Sequence, residues 1–456
     1  MIQLSINQKL KIKIKKLGIN GEGIANYKGR LIFIEDVLPQ EEATIKIIRN
    51  ERNFSIGQLV KLTKKSPYRV TPPCHIYDIC GGCQLMHLDY DQQLKYKTDL
   101  IFQALRKFKP KGFEKFQVRA TIGQKEPMHY RNKLQFQIRQ NIKSGKIEAG
   151  LYAINSHHLV NIKNCYVQSK QTQAIINTCV KLFNQFKISA YDERKRSGLL
   201  KTVMVRESAL TKEIQLIFVT TRKEFPKFNE LKVALVQAHP EIVTIDQNIQ
   251  KKQTSKVYGE ANQHLWGKRT IQEDVLKQRF ELSPQAFLQL NPEQMNRLYQ
   301  EALDAMTLNS EDKIIDAYCG VGTIGLSLAK GVKEVRGMDT ISQAIDDAKI
   351  NAKNLGINNA HYETGTAEAI IPKWEKAGFK ATGLIVDPPR TGIDSKLLAT
   401  IIKQPPKKMV YISCNISTLA RDLVELVKIY RVEYIQSVDM FPHTARTEAV
   451  VKLTLK

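Results

Sequence analysis

The chain has 456 residues, 42% of them hydrophobic, and a formal net charge of +25 from 70 Lys and Arg against 45 Asp and Glu. That length supports two to four cores, and no apolar run approaches the roughly 18 residues that would span a bilayer. The basic excess points to a polyanionic partner, nucleic acid before membrane, because no basic amphipathic anchor stands out.

The amino terminus carries no signal-peptide pattern, so a cytoplasmic protein is expected. In that compartment its seven cysteines argue for metal binding or catalysis rather than disulfides. Nothing calls for an obligate protein partner. Residues 9–16 alternate lysines with apolar side chains, which in a strand puts Leu10, Ile12 and Ile14 on one face and a row of lysines on the other. Turn glycines at Gly18, Gly21 and Gly23 follow, then strand-like runs at 30–34 and 43–48. Residues 1–63 are expected to close into a small OB-like β-barrel, a common nucleic-acid module.

The glycine-rich run from Gly18 to Ala25 resembles the TRAM domain, an RNA-binding barrel attached to RNA-modifying enzymes. Next, Cys74, Cys80 and Cys83 fall within ten residues, with Gly81 and Gly82 letting the backbone curl around a centre. Cys165 is the best fourth ligand. Zinc held by four cysteines is the rival, but a close triplet with one remote cysteine fits a [4Fe-4S] cluster better than paired zinc motifs. His75 and His87 read as surface or neighbouring groups rather than ligands.

Residues 64–280 are expected to form a central α+β iron-sulfur and RNA-binding region. Its helical part, at about 90–120, would pack on the catalytic domain. Strands are expected near 133–138, 147–150 and 214–219, and Cys179 lies in an apolar helical stretch as core. Arg131 and Lys133, beside Tyr130, are candidate contacts for phosphate and an unstacked base.

From residue 281 to 456 short apolar strands alternate with helical segments, the pattern of a Rossmann-like α/β domain. Gly320 and Gly322 lie in a glycine turn after the strand 313–318, and Asp339 ends the next strand, where it can accept from ribose hydroxyls. The glycine pattern alone would equally fit a dinucleotide-binding dehydrogenase. Three features favour S-adenosylmethionine: the rigid Asp387-Pro-Pro-Arg390 loop, the thiol of Cys414 at a strand's carboxyl end, and a closing pair of strands at 434–440 and 448–455.

These motifs resemble, over nearly the whole chain, the RNA uracil-5 methyltransferases, and among them the branch with a TRAM domain and a [4Fe-4S] cluster that acts on 23S rRNA. The resemblance rests on Cys74, Cys80, Cys83 and Cys165, on Ser283–Asn291, on the glycine loop, and on Asp387–Arg390, Ser413–Asn415 and Met440–Glu448. It implies a class I methyltransferase fold and S-adenosylmethionine as methyl donor. Cys414 is then the nucleophile at carbon 6 of the uracil and Glu448 the base that removes the proton from carbon 5. It further implies cofactor contacts by Gln289, Tyr318, Gly320, Gly322, Asp339 and Asp387, with Phe287 and Asn291 facing the base. Tyr318 and Thr323 stand where some members carry Phe and Asn. The rival readings are the same chemistry on tRNA, whose bacterial enzymes usually lack both barrel and cluster, and a non-catalytic RNA-binding or assembly factor.

Overall fold

The computed structural model describes residues 4–154, 156–254 and 256–456, so the first three residues of the expected barrel lie outside the described ones. The alternating lysine strand does what its period requires. Along Lys9–Lys13 the lysines are exposed while Leu10 and Ile12 join the barrel core with Ile32, Ile34, Ile45 and Ile47. That strand pairs with Glu42–Asn50, while its continuation, Lys16–Leu17, pairs with Gly23–Tyr27 at the far side of the same six-stranded sheet. One bent strand thus supplies both edges and closes the barrel, leaving few unpaired backbone groups.

A seven-stranded sheet follows, mostly antiparallel and built from segments between residues 133 and 267. The helices Lys170–Gln185 and Phe228–Ala238 cover it with Ile175, Ile176, Phe183, Leu231 and Leu235. Cys179 is fully buried in this core.

The third sheet has eight strands. Five are parallel, in the spatial order Ala360–Thr364, Glu334–Asp339, Lys313–Ala317, Gly383–Val386, Lys408–Ser413. Glu448–Leu455 then runs antiparallel against Lys408–Ser413, followed by Tyr430–Val438. The final strand, Val118–Ile122, comes from the far side of the central domain in sequence and pairs in parallel with Tyr430–Val438. Residues 118–120 are therefore strand, not the tail of the expected helix. That helix is Tyr90–Phe108; it starts at Asp89, whose carboxylate accepts from the Gln92 N–H. Ile101, Ala104 and Leu105 enter the core of the eight-stranded sheet. A hairpin, Ile271–Val275 with Gln278–Leu282, shares the other core of that sheet, so chain ahead of residue 281 also packs with it. No helix among the described residues is long and apolar enough to cross a membrane.

Candidate active site

The parallel strands end together at a rim of loops, the place where such sheets present ligand groups. Tyr318, just past Lys313–Ala317, takes a left-handed backbone (φ 67°), and Gly320 and Gly322 follow at 54° and 81°. A side chain at Gly320 would meet no atom within 4 Å, so the backbone faces open space there. Asp316 lies buried beneath the turn and accepts the Gly325 N–H at 2.8 Å, tying the loop to the helix Thr323–Ala329. Burial pushes its carboxyl up to about 7, with the charges of Asp387 and Asp339 adding to the effect. Asp339 accepts from the N–H groups of Gly320 at 3.1 Å and Ile341 at 3.0 Å.

These residues open onto a cavity of about 580 Å³ lined by Tyr318, Asp339, Glu368, Pro389, Asp394 and Arg421, among others. Its size and mixed lining suit an adenosine moiety. Glu368, Asp394 and Arg421 were not legible as site residues. They lie on helices and loops far apart in sequence and meet only when the strands align.

The Asp387–Arg390 loop leads from this cavity to a second cluster. Ser413 pairs with Ala449 across the antiparallel ladder, and continuing that register by one residue sets Cys414 opposite Glu448. Cys414 is half-buried; Glu448 is 3% exposed. Gln289 donates from Nε2 to Glu448 Oε2 at 3.3 Å. Burial drives the Glu448 carboxyl well above its ordinary range, and the charge of Asp387 pushes the same way, while Arg390 and the Gln289 hydrogen bond oppose it. Burial also raises Asp387 to about 7. The Cys414 thiol is pushed up to about 11 by burial and by the carboxylates of Glu448 and Asp387, with Arg390 pulling it down. Acids that disfavour the thiolate thus flank this thiol. A cationic ligand beside it would relieve this. Tyr299, buried on the helix Pro292–Met306, also feels Asp387 and Glu448, a placement with no sequence signal.

The segment Ser283–Asn291 runs past this cluster as a loop. Phe287 is 61% exposed at its crest, free to meet a base. Asn291, by contrast, is withdrawn from the surface. It is 1% exposed, caps the helix Pro292–Met306 by accepting from Gln294 N–H, and donates to Gln124 Oε1 and Met440 O. Strand alternation would have aligned it with Phe287, but a helix start beginning with Pro292 claims it instead. Lys133 is also half-buried, opposite Arg206 on the neighbouring strand, and burial together with Arg206 and Arg131 drives its ammonium pKa well below the ordinary value. Arg206 is engaged by the backbone, donating to the carbonyls of Ser283 (3.3 Å) and Ala286.

Cys74, Cys80, Cys83 and Cys165 gather in one neighbourhood. Burial first, then the charges of Cys165, Cys80 and Cys74, raise the Cys83 thiol far above its ordinary range. Among the described residues, however, no group of three or more His, Cys, Asp or Glu side chains is placed to hold a metal ion. Four gathered thiols are the donor set that either a [4Fe-4S] cluster or a zinc ion would take. His87 is 2% exposed rather than at the surface, with Nδ1 hydrogen-bonded to Tyr77 Oη at 2.5 Å, and burial holds its imidazole down at about 4.

Comparison with known proteins agrees with this geometry. Residues 89–456 match the family described as tRNA (Uracil-5-)-methyltransferase, and residues 3–60 match the TRAM domain. An uncharacterized RNA methyltransferase of Enterococcus faecalis is 54% identical over 449 residues, covering 98% of both chains. One from Streptococcus pneumoniae is 54% identical over the full length of both. The crystal structure of Pyrococcus abyssi tRNA (uracil-54, C5)-methyltransferase with S-adenosyl-L-homocysteine is 27% identical. It superposes with a TM-score of 0.77, covering 98% of this chain and all of the other. The chain belongs to the tRNA (uracil-5-)-methyltransferase family: it is an S-adenosylmethionine-dependent RNA methyltransferase with an amino-terminal TRAM domain.

Proposed function

We propose that the protein methylates carbon 5 of a uridine in 23S rRNA through a covalent adduct with Cys414. The observation that carries the reading is the pairing of Cys414 with Glu448 at adjoining strand ends beside Asp387. The methyl donor would be held by Tyr318, the Gly320–Gly322 turn and Asp339, with Gln289 and Asp387 at the reacting end; it supplies an electrophilic methyl on a positively charged sulfur. Cys414, as thiolate, adds to carbon 6 and turns an unreactive carbon 5 into an enolate carbon. Carbon 5 would then take the methyl as the methyl–sulfur bond breaks and its electron pair stays on sulfur, leaving a neutral thioether. Glu448 removes the carbon 5 proton, the electrons re-form the double bond, and the carbon 6–sulfur bond breaks to release the thiolate. A base positioned for that last proton contributes about 100- to 10,000-fold.

A target uridine must leave its stack to reach Cys414, so it lies in an unpaired or remodelled segment. The barrel's lysine face supplies salt-dependent phosphate attraction, and Phe287 a stacking surface. The four cysteines are proposed ligands of a [4Fe-4S] cluster that shapes the central domain. The uridine chemistry uses no electron from it. The reaction places the protein in the cytoplasm with its ribosomal substrate. Ribosomal RNA is favoured by the joint presence of barrel and four-thiol segment, as in the branch the sequence resembles.

A second reading, tRNA as substrate, is favoured by the full-length likeness to the Pyrococcus abyssi enzyme, which acts on tRNA. The test uses 5-fluorouridine-containing 23S and tRNA transcripts with S-adenosylmethionine. Fluorine does not leave as a proton does, so the reaction stalls as a denaturation-resistant protein–RNA adduct. A 23S adduct absent in Cys414→Ala is the expected outcome. An adduct with tRNA alone would move the substrate, and none with either would favour an RNA-binding role.

A further inference from the structure

The nucleophile and the base reach the site by different routes. Cys414 extends a central strand flanked by parallel and antiparallel neighbours. Glu448 follows a loop, residues 439–447, that joins the last two strands. His443 in that loop adopts a left-handed backbone (φ 66°), which a non-glycine residue keeps only where its surroundings over-determine it.

Those surroundings come from three other parts of the chain. Lys97, on the helix Tyr90–Phe108, forms a fully buried ion pair with Asp439 and donates to Phe441 O at 2.9 Å. The same helix gives Gln93, whose Oε1 accepts the His443 N–H at 3.0 Å. From the segment just after Cys83, the backbone N–H groups of Gln84 and Leu85 both donate to His443 O, at 3.0 and 2.9 Å, and the Gln84 side-chain oxygen accepts from the Ala445 N–H at 3.4 Å. From the barrel, the turn at Gly21 (φ 88°) presses on the same junction. A Cβ there would lie 3.1 Å from Gln84 Cβ, 3.3 Å from Leu85 Cδ2 and 3.4 Å from Ala445 Cβ. Leu17, Leu85 and Ala445 share one small apolar core. Barrel, cysteine segment and helix therefore converge on the loop that delivers Glu448.

We propose that the Gly21 turn and the Gln84–Leu85 segment position Glu448, acting through the 439–447 loop, so that the barrel and the cysteine segment govern proton abstraction from carbon 5 without slowing thiol addition. This rests on Glu448 being the base. The coupling follows from the strained His443 carbonyl. Its acceptor bonds come from the cysteine segment, and the Gly21 turn leaves that segment little room to shift.

The full-length enzyme is assayed with its RNA and S-adenosylmethionine in two forms, ordinary RNA and the 5-fluorouridine transcript. Glu448→Gln serves as reference and accumulates denaturation-resistant adduct on ordinary RNA. Gly21→Ala, whose added Cβ would crowd Gln84, Leu85 and Ala445 at a strained φ of 88°, is expected to lose about 10- to 100-fold in turnover, the scale set by a misplacement of about 1 Å. Gln84→Ala, which removes the side-chain bond to the Ala445 N–H and keeps the backbone donors to His443 O, should lose less. Both should accumulate adduct on ordinary RNA while forming the fluorinated adduct at no less than the wild-type rate. A general structural defect would instead lower both rates together without adduct build-up, and that result, or unchanged turnover, overturns the proposal. If Glu448→Gln itself accumulates no adduct, the base assignment falls and this inference with it; if it does while the other two do not, only the positioning role is lost.

Discussion

The molecule carries two cysteine centres built by opposite means. Cys414 is placed by a strand. Its neighbours are dictated by ladder register, and its thiol stands half-buried at the sheet's polar end among carboxylates. Cys74, Cys80, Cys83 and Cys165 are placed by turns and loops at the edge of the central core, and their neighbours are one another. Burial raises thiols at both centres, and what differs is the neighbouring charges that add to it. At Cys414 the added charges are carboxylates, Glu448 and Asp387, and under the proposed reaction they lie where a cationic methyl donor would be received. Around Cys83 the added charges are those of Cys165, Cys80 and Cys74, which as thiolates would disfavour one another and which a shared metal centre would stabilise together. A raised thiol is therefore no guide to role; the identity of the neighbouring charges is.

The largest effect that would sharpen this contrast is Cys414→Ala. Turnover should fall by at least about 10,000-fold, the scale on which loss of a covalent nucleophile acts, while S-adenosylmethionine binding by calorimetry persists. Retained turnover would break the comparison, since the strand-end thiol would then have no special role.

At the other centre, Cys165→Ser should remove the iron measured in purified protein and lower the melting temperature, because a centre bound only in the folded state stabilises it. S-Adenosylmethionine binding should survive in the protein that remains folded. Stoichiometric zinc in the wild type, or wild-type melting behaviour in the variant, would contradict the assignment.

A smaller effect tests the electrostatics around Cys414. Its thiol lies near 11, so the thiolate fraction and the fluorouridine-adduct rate should climb with pH through the neutral and alkaline range. Arg390 pulls that thiol down, so Arg390→Met should raise it further. The adduct rate at pH 8 should drop by roughly tenfold for each pKa unit gained. The deficit is constant well below the thiol's pKa and shrinks as pH rises through it. A deficit that grows with pH would show Arg390 acting on RNA instead.

The smallest effect concerns the barrel. Lys11→Glu with Lys13→Glu leaves the core untouched, because both side chains are exposed and only Leu10 and Ile12 point inward. RNA affinity should weaken, and the slope of its logarithm against that of salt concentration should become shallower by about one for each phosphate no longer neutralised. Turnover at saturating RNA should not change. An unchanged salt slope would make the lysine row merely solvated.

Much of the site was legible because its chemistry lies in short, ordered motifs. Cys414 is marked by a thiol directly beyond an apolar strand, and the glycine turn by residues that tolerate positive φ. Glu448 is not marked locally; its role came from resemblance, and its burial beside Gln289 and Asp387 became visible only in three dimensions. Lys97 illustrates a signal passed over. It lies between Gln93, Tyr96, Leu100 and Ile101 on the buried face of one helix, and a lysine at such a position needs an acid to meet it. Its partner, Asp439, is 342 residues away, which no periodicity reports.

The sequence by itself determined the elements and their reactive ends, since alternation, helical spacing and glycine turns act over a few residues and depend only on local sterics and solvation. It also pointed to the kind of chemistry, through several short motifs in the order of the family it resembles rather than through any one of them. Tertiary structure alone decided which of these groups face one another. Strand 118–122 joins a sheet otherwise built after residue 312, Asn291 is buried to cap a helix, and barrel, cysteine segment and helix close on the loop before Glu448. Such meetings arise from burying apolar surface and pairing buried polar groups across hundreds of residues.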